Sequence, residues 1–161
     1  MAMIDIFLKI DGIEGESTDI KHPRELQLES FGWGVQQPPS ISTTETTLST
    51  RTPRPKATFQ DFAFRHRIDK ASPMLVMACA MGTRIPSAVM VARTAGAQPL
   101  EFLKIVLTDV FVSSVALDTA GGDTVPVESV TFRYGKVEME YRGRKPDGSA
   151  DAPVTATCKV E

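Results

Sequence analysis

Residues 100–117 read Leu-Glu-Phe-Leu-Lys-Ile-Val-Leu-Thr-Asp-Val-Phe-Val-Ser-Ser-Val-Ala-Leu, and this stretch decides the fold. It is rich in Val, Ile and Phe, which favours a long β-strand, but apolar residues fall on both of its faces. On simple alternation, Val110 and Val112 lie on one face, while Ile105 and Leu107 lie on the opposite one. An antiparallel strand with one face in water alternates more cleanly. We therefore expect its second face to be covered, either by a helix or by another subunit.

The rest of the chain also alternates with a period of two, as residues 4–10 do (Ile-Asp-Ile-Phe-Leu-Lys-Ile). Such alternation indicates half-buried strands. The 161 residues suffice for one domain. The sequence thus predicts a mainly β chain, 1–161, forming a single antiparallel β-barrel or sandwich with a peripheral tail over 143–161. The predicted strands lie near residues 3–10, 25–36, 56–65, 86–94, 99–117 and 126–142.

One helix is predicted over residues 72–81. Ser72 is a favourable N-cap, Pro73 suits the first helical position, and Gly82 suits the position after the last turn. Residues 74–81, Met-Leu-Val-Met-Ala-Cys-Ala-Met, carry no charge. We therefore expect a buried helix, covered on several sides.

Residues 36–55 form an unusual connection, because nine of the sixteen residues 40–55 are Ser or Thr. Structureless loops longer than about 12–15 residues are uncommon and usually functional or disordered. Thr favours extended structure, and the prolines exclude a helix or a central strand. Two interpretations follow, a floppy loop or a long extended arm that lies against a neighbouring subunit, and we favour the arm.

Composition excludes several classes of function. The 18 basic and 20 acidic residues give a net charge of -2, and they are spread evenly along the chain. Binding to nucleic acid needs a clustered basic face, so no nucleic-acid partner is expected. No run reaches the roughly 18 apolar residues of a membrane span, and the N-terminus lacks the charge pattern of a secretory signal. We therefore expect no membrane partner and a cytoplasmic chain, which leaves the cell only by a route that reads no signal peptide.

No catalytic constellation is evident. His22 and His66 lack partners at metal-binding spacings, so we expect both to be solvated surface side chains and no metal or cofactor to be bound. Glu138 and Glu140 share a strand face and resemble a catalytic carboxylate pair, but a wet strand face shows the same alternation.

The residues alone leave the function open between two classes. A monomeric β-barrel that binds a small ligand would hold it in an internal apolar cavity. A structural protomer would instead use its apolar faces and its arm for self-assembly. A third hypothesis, a secreted enzyme, rests only on Glu138, Glu140 and the two histidines.

Several segments resemble, in order, the Hcp family, the tube-forming proteins of bacterial type VI secretion systems. The resemblance includes Gly15-Glu-Ser17 after the first strand, Trp33-Gly34 at the end of the second, and the passage into the helix. It extends over about residues 3–142. The resembling segments are residues 5–19, 28–34, 62–75, 78–82, 101–110, 112–115 and 130–137.

The chain also departs from that family. Thr94 stands before Ala95-Gly96 where many relatives have Lys, and residues 36–55 are rich in Ser, Thr and Pro where relatives are often Gly-rich. The twenty residues after Tyr141 are too few for the C-terminal toxin domain of some extended relatives.

The resemblance implies a structural protein without enzymatic activity. Its protomers would form homo-hexameric rings that stack into a tube, which a contracting sheath propels together with the spike. The lumen would carry small effector proteins, and the tube protein would itself be exported to the extracellular space. Under this interpretation another subunit covers the second face of residues 100–117.

The resemblance also implies candidate site residues, and none of them is catalytic. Contacts between neighbouring subunits and stacked rings are expected along the arm and at the Gly-Glu-Ser segment. These interface candidates are Pro38, Pro39, Ser40, Ile41, Ser42, Thr43, Thr44, Glu16 and Ser17. Gly32 is the candidate for the lumen surface that faces effectors, through the motif that flanks it.

Overall fold

The structure is a computed structural model that describes residues 3–39, 56–119 and 125–160. These residues form ten strands and one helix. In chain order they are β1 (Ile4–Ile10), β2 (Leu26–Gly32), β3 (Val35–Gln36), β4 (Thr58–Phe59), β5 (Phe62–Arg67), α1 (Ala71–Met81), β6 (Ile85–Thr94), β7 (Glu101–Asp118), β8 (Val127–Arg133), β9 (Lys136–Tyr141) and β10 (Val154–Lys159).

Six antiparallel strands close into a barrel in the order β7-β6-β1-β2-β5-β8, because β8 pairs back onto β7. The first part of β7 carries β9 on its other edge, and β10 pairs with β9 outside the barrel. The short strands β3 and β4 form a separate ribbon. The predicted mainly β barrel with a single helix is therefore confirmed for the described residues.

Strand β7 changes both its partner and its inward face at Asp109. Before this residue it pairs with β9, and after it with β8. Asp109 has a φ of 56°, in the left-handed region. Ile105 and Leu107 are buried before it, and Val110 and Val112 are buried after it. The prediction that these two pairs lie on opposite faces is wrong, because simple alternation assumes an extended backbone throughout.

The barrel interior is filled with side chains. The rings of Phe62 and Phe132 are fully buried, and Phe64 packs against Phe132 edge to face with centroids 5.1 Å apart. Aromatic pairs in this geometry contribute about 0.5–1.5 kcal/mol beyond the area they bury. This packing counts against the ligand-binding interpretation, which needs an apolar cavity in the same place.

The prediction of a helix buried on several sides is wrong for α1. It packs on β7 by one face, which holds Leu75 and Ala78 in the core. Its opposite face is open, because nothing among the described residues covers it. The exposed side chains are Met74, Val76, Met77 and Met81, the last being 73% exposed.

The start of the helix also differs from the prediction, whereas its end agrees. Ser72 is not the N-cap, since it is buried within the first turn. Its Oγ accepts the N–H of Asp69 at 3.1 Å, and the carboxylate of Asp69 accepts the N–H of Ala71 at 2.9 Å. These reciprocal bonds resemble a capping box shifted towards the N-terminus. Gly82 ends the helix with a φ of 63°, as its position predicted.

Several strand boundaries were not foreseen. The predicted strand 126–142 is two strands, β8 and β9, separated by Tyr134 and Gly135. The predicted strands 25–36 and 56–65 are each interrupted as well. Strand β10 lies in the tail, where no strand was predicted, and all six of its residues are exposed.

Gly15 is expected to be intolerant of substitution. An added Cβ would lie 2.5 Å from the carbonyl oxygen of Glu25, and backbone atoms cannot give way as a flexible side chain does. Gly15→Ala should lower the free energy of unfolding by about 1–3 kcal/mol, the usual cost of overpacking. Urea unfolding measures this.

Gly32→Ala is the matched control, because nothing lies within 4 Å of its added Cβ. Its urea midpoint should stay close to that of the wild type. Equal stabilities of the two variants would contradict the close approach at Gly15.

Candidate functional site

The predicted interface residues lie in separate parts of the chain. Glu16 and Ser17 belong to the loop between β1 and β2, and Gly32 is the last residue of β2. Pro38 and Pro39 follow β3, with Pro38 half-buried and Pro39 exposed. The remaining candidates lie outside the described residues. These are Ser40, Ile41, Ser42, Thr43 and Thr44.

Both histidines are buried, so the prediction of solvated surface histidines is wrong. His22 is 7% exposed and His66 is 0% exposed. Each histidine contacts one carboxylate three residues further along the chain and one carboxylate from a distant strand. The cluster around His22 lies outside the barrel wall, and the cluster around His66 lies inside it.

The first cluster, which we call the loop clamp, holds the loop 11–25 against the barrel. The Nδ1 of His22 lies 3.1 Å from both carboxylate oxygens of Glu25, and its Nε2 lies 2.7 Å from Oε1 of Glu101. An ionised carboxylate only accepts hydrogen bonds, so both ring nitrogens donate at once when the imidazole is protonated. The ring also stacks on Phe7, with centroids 4.6 Å apart.

An arginine completes the loop clamp. The guanidinium of Arg93, on β6, donates to both carboxylate oxygens of Asp19, with Nη1 at 2.9 Å from Oδ2 and Nη2 at 2.5 Å from Oδ1. It also lies over the ring of Phe7, 4.8 Å from the centroid. Hydrogen bonding from Arg93 lowers the pKa of Asp19, and the same bond raises the pKa of Arg93.

The loop clamp fixes how residues of the loop are presented to solvent. Ser17 takes part in the fold through its backbone, since its N–H donates to the carbonyl of Glu25 and its carbonyl accepts from Arg24. Glu16 is exposed, and Ile20 at the far side of the loop is 95% exposed. The clamp therefore supports a loop that presents polar and apolar side chains outward.

The second cluster lies inside the barrel wall, at the start of the helix. Nε2 of His66 lies 2.7 Å from Oε1 of Glu128, and both side chains are fully buried. The carboxylate of Asp69 lies 3.8 Å from Nδ1 of the same ring. Burial raises the pKa of Asp69, while the charge of His66 acts in the opposite direction.

The pair of His66 and Glu128 was not predicted, although the strand pattern carries a signal for it. His66 and Glu128 face each other directly across β5 and β8. On alternation, His66 has the parity of Phe64, and Glu128 has that of Val130, both of which are core residues. A polar residue at a position of core parity was therefore the sign of a buried pair.

The two carboxylates of the enzyme hypothesis lie on one strand face, and Glu140 lines a cavity of about 370 Å³ with basic neighbours. Glu138 and Glu140 are half-buried on β9, opposite Val106 and Lys104 of β7. Glu140 also lies 3.7 Å from a guanidinium nitrogen of Arg142. Cationic neighbours of this kind are typical of a charged strand face. Among residues 3–39, 56–119 and 125–160, no group of three or more His, Cys, Asp or Glu side chains is placed to hold a metal ion.

An exposed apolar surface lies on the helix. The exposed helix face continues towards Leu117, which is 56% exposed at the end of β7. Contiguous apolar surface on a folded chain commonly marks a contact with another molecule. Within the described part of the chain, no helix is long and apolar enough to span a membrane. Further exposed apolar residues lie elsewhere on the fold, at Phe111, Met139, Tyr141 and Val154.

Comparison with known proteins gives consistent results. A family model described as type VI secretion system effector, Hcp, matches residues 7–141. Protein hcp1 of Pseudomonas aeruginosa is 35% identical over 149 residues, which are 92% of this chain and 89% of that protein.

Solved structures agree with the sequence comparison. The crystal structure of Hcp1 from Salmonella typhimurium is 36% identical with a TM-score of 0.75, covering 99% of this chain and 95% of that one. A type VI secretion system effector from Yersinia pestis is 34% identical with a TM-score of 0.73, covering 97% of this chain and 100% of that one.

The bond between Asp19 and Arg93 predicts how stability depends on pH. The pKa of Asp19 is lower in the folded chain, so its ion pair stabilises the fold above the unfolded pKa of about 4. This contribution is lost as the pH falls through the folded pKa. Asp19→Asn should therefore lower the urea midpoint at pH 7, and the difference from wild type should narrow below about pH 4.

Asp118→Asn serves as the control, since Asp118 is exposed at the end of β7. Its midpoint should follow the wild type across the same pH range. If the urea midpoint of Asp19→Asn differs from that of the wild type by the same amount from pH 7 to pH 3, the ion-pair assignment is contradicted.

Proposed function

The chain belongs to the Hcp family of type VI secretion proteins, and on this premise we propose that it is the protomer of a homo-hexameric ring. The rings stack into the inner tube of the secretion system, and the tube carries small effector proteins in its lumen. The protein acts by association rather than by catalysis, and it is itself exported by the machine.

The observation that carries this proposal is the exposed apolar surface of the described chain. A closed, filled barrel has satisfied its own core, yet the helix still exposes Met74 and Met81. A ring closes by repeating one head-to-tail contact, which buries such surfaces on every subunit. The net charge of -2 keeps electrostatic repulsion between like subunits small.

The open edge of the sheet supports the same function. Strand β10 pairs with β9 on one side, and it is the last strand at that end of the sheet order. No strand among residues 3–39, 56–119 and 125–160 pairs with its other edge, so the backbone N–H and C=O groups there can pair with another chain, as those of edge strands generally can. A ring neighbour would satisfy these groups and remove the edge.

The interface and lumen assignments remain part of this proposal. We assign subunit and ring contacts to Glu16 and Ser17 on the clamped loop, and to the arm that contains Pro38 and Pro39. Gly32 is assigned to the lumen surface, where its exposed backbone leaves room for an effector. The further partners are the sheath and spike components of the same machine.

Size exclusion coupled to light scattering, across a range of concentrations, tests the ring. The expected mass is that of six 17.5-kDa chains. A matched variant, Met81→Asp, places a charge on the exposed helix face outside the residues that contact the barrel and should shift the mass towards the monomer if that face is in the ring contact. A strictly monomeric wild type at high concentration would overturn the ring.

Deletion of residues 38–52 tests the arm. The variant should keep its barrel, because the deleted residues lie outside the six barrel strands, but it should form fewer or shorter tubes. Electron microscopy of concentrated protein measures tube length, and circular dichroism checks the fold. Tubes of unchanged length would show that the arm does not contribute to stacking.

A further inference from the structure

A groove of about 420 Å³ lies between the first turns of the helix, the end of β7 and the start of β8. We call it the helix groove. Its walls are almost entirely apolar, since they come from Ile68, Pro73, Val76, Met77 and Leu117. Ile68 and Leu117 are 39% and 56% exposed, so the groove opens to solvent. Its polar lining includes Glu128, the buried partner of His66.

Glu128 has unused hydrogen-bonding capacity. Its Oε1 is engaged by Nε2 of His66 at 2.7 Å. Its Oε2 is buried and has no hydrogen-bond partner among the described residues. A buried polar atom left without a partner costs about 1–3 kcal/mol, and more when the group is charged. A donor that enters the groove would therefore recover this cost on binding.

The surroundings of the groove favour a cation as that donor. Asp69 lies on the other side of His66, and the carboxylates of Glu16 and Glu128 both act on it electrostatically. The basic side chains that flank this region are already engaged. Nε of Arg67 lies 3.3 Å from Oε1 of Glu29, and Nζ of Lys70 lies 3.6 Å from Oε2 of Glu14. Within the described ranges, His66 is the basic side chain that contacts both Asp69 and Glu128.

We propose that the helix groove is a docking site for a partner protein that presents a lysine flanked by apolar residues. One carboxylate oxygen is free, which suits the single-point contact of an ammonium group better than the fork of a guanidinium. The four-carbon stem of lysine packs along the walls formed by Met77 and Leu117 while its head reaches Glu128. Methionine adapts its shape to varied apolar neighbours, so the flanking residues of the partner can differ.

A peptide display selection with random heptapeptides tests the specificity, using the whole chain as bait. Leu117→Lys serves for counter-selection, because it places an ammonium of its own at the groove while changing an exposed residue. The expected enrichment is lysine between apolar residues. No enrichment over the counter-selected variant, or enrichment of sequences without a basic residue, would overturn the proposal.

The role of Glu128 is tested with the enriched peptide and the same peptide carrying acetyl-lysine, which removes the charge. Acetylation should weaken binding at least tenfold by isothermal titration, and Glu128→Gln should remove most of that difference. Leu117→Lys should also weaken binding of the unmodified peptide at least tenfold. Ile20→Lys, at a 95% exposed position that does not line the groove, should leave the affinity for the unmodified peptide unchanged. Equal affinities for the two peptides would contradict a cation at Glu128.

Light scattering on Leu117→Lys separates this proposal from the ring itself. A variant that keeps its fold and its ring mass but loses the peptide supports a groove open to a partner protein. Loss of the ring in this variant, with an unchanged melting temperature, would mean that a second copy of the chain occupies the groove, and would overturn the assignment to another protein. A wild type that binds the peptide but forms no ring would overturn the ring alone.

Discussion

Strand β7 hydrogen-bonds to three other strands, and the rest of the structure depends on this sharing. Residues 101–110 of β7 pair with β6 on one edge, and its other edge pairs with β9 first and with β8 later. The pairing of β7 with β8 closes the barrel, whereas its pairing with β9 extends the sheet. The exchange requires a local change of backbone at Asp109, whose left-handed conformation turns a new set of side chains inward. One strand therefore serves both the barrel and the sheet extension that ends at β10.

Two histidine clusters connect this scaffold to its surfaces. The loop clamp ties the loop 11–25 to β6 and β7 through Arg93 and Glu101, so that the loop presents Glu16 and Ile20 from a fixed base. The buried pair of His66 and Glu128 lies below the start of the helix. In both cases a buried histidine is paired with a carboxylate from a distant strand and with a second carboxylate three residues further along the chain.

Sequence reasoning was most successful where the signal is local. Period-two alternation located most of the strands, and Gly82 marked the end of the helix. It failed where a break of one or two residues divides a long pattern, as at Tyr134 and Gly135. The strand β10 escaped notice, because its residues are exposed on both faces and so carry no alternating burial. Of the proposed interface residues, the sequence could name the segments but not their spatial relation.

The sequence by itself determined the class of fold, the approximate strands, the single helix and the family of the chain, since each depends on patterns carried by neighbouring residues. Tertiary structure alone decided which surfaces are covered. The uncharged helix looked buried, yet half of it is open, and two histidines that looked solvated are buried. The reason is physical: periodicity fixes the direction of each side chain relative to its own strand or helix. Burial depends on which distant segment packs there, and on where a residue such as Asp109 reverses the pattern.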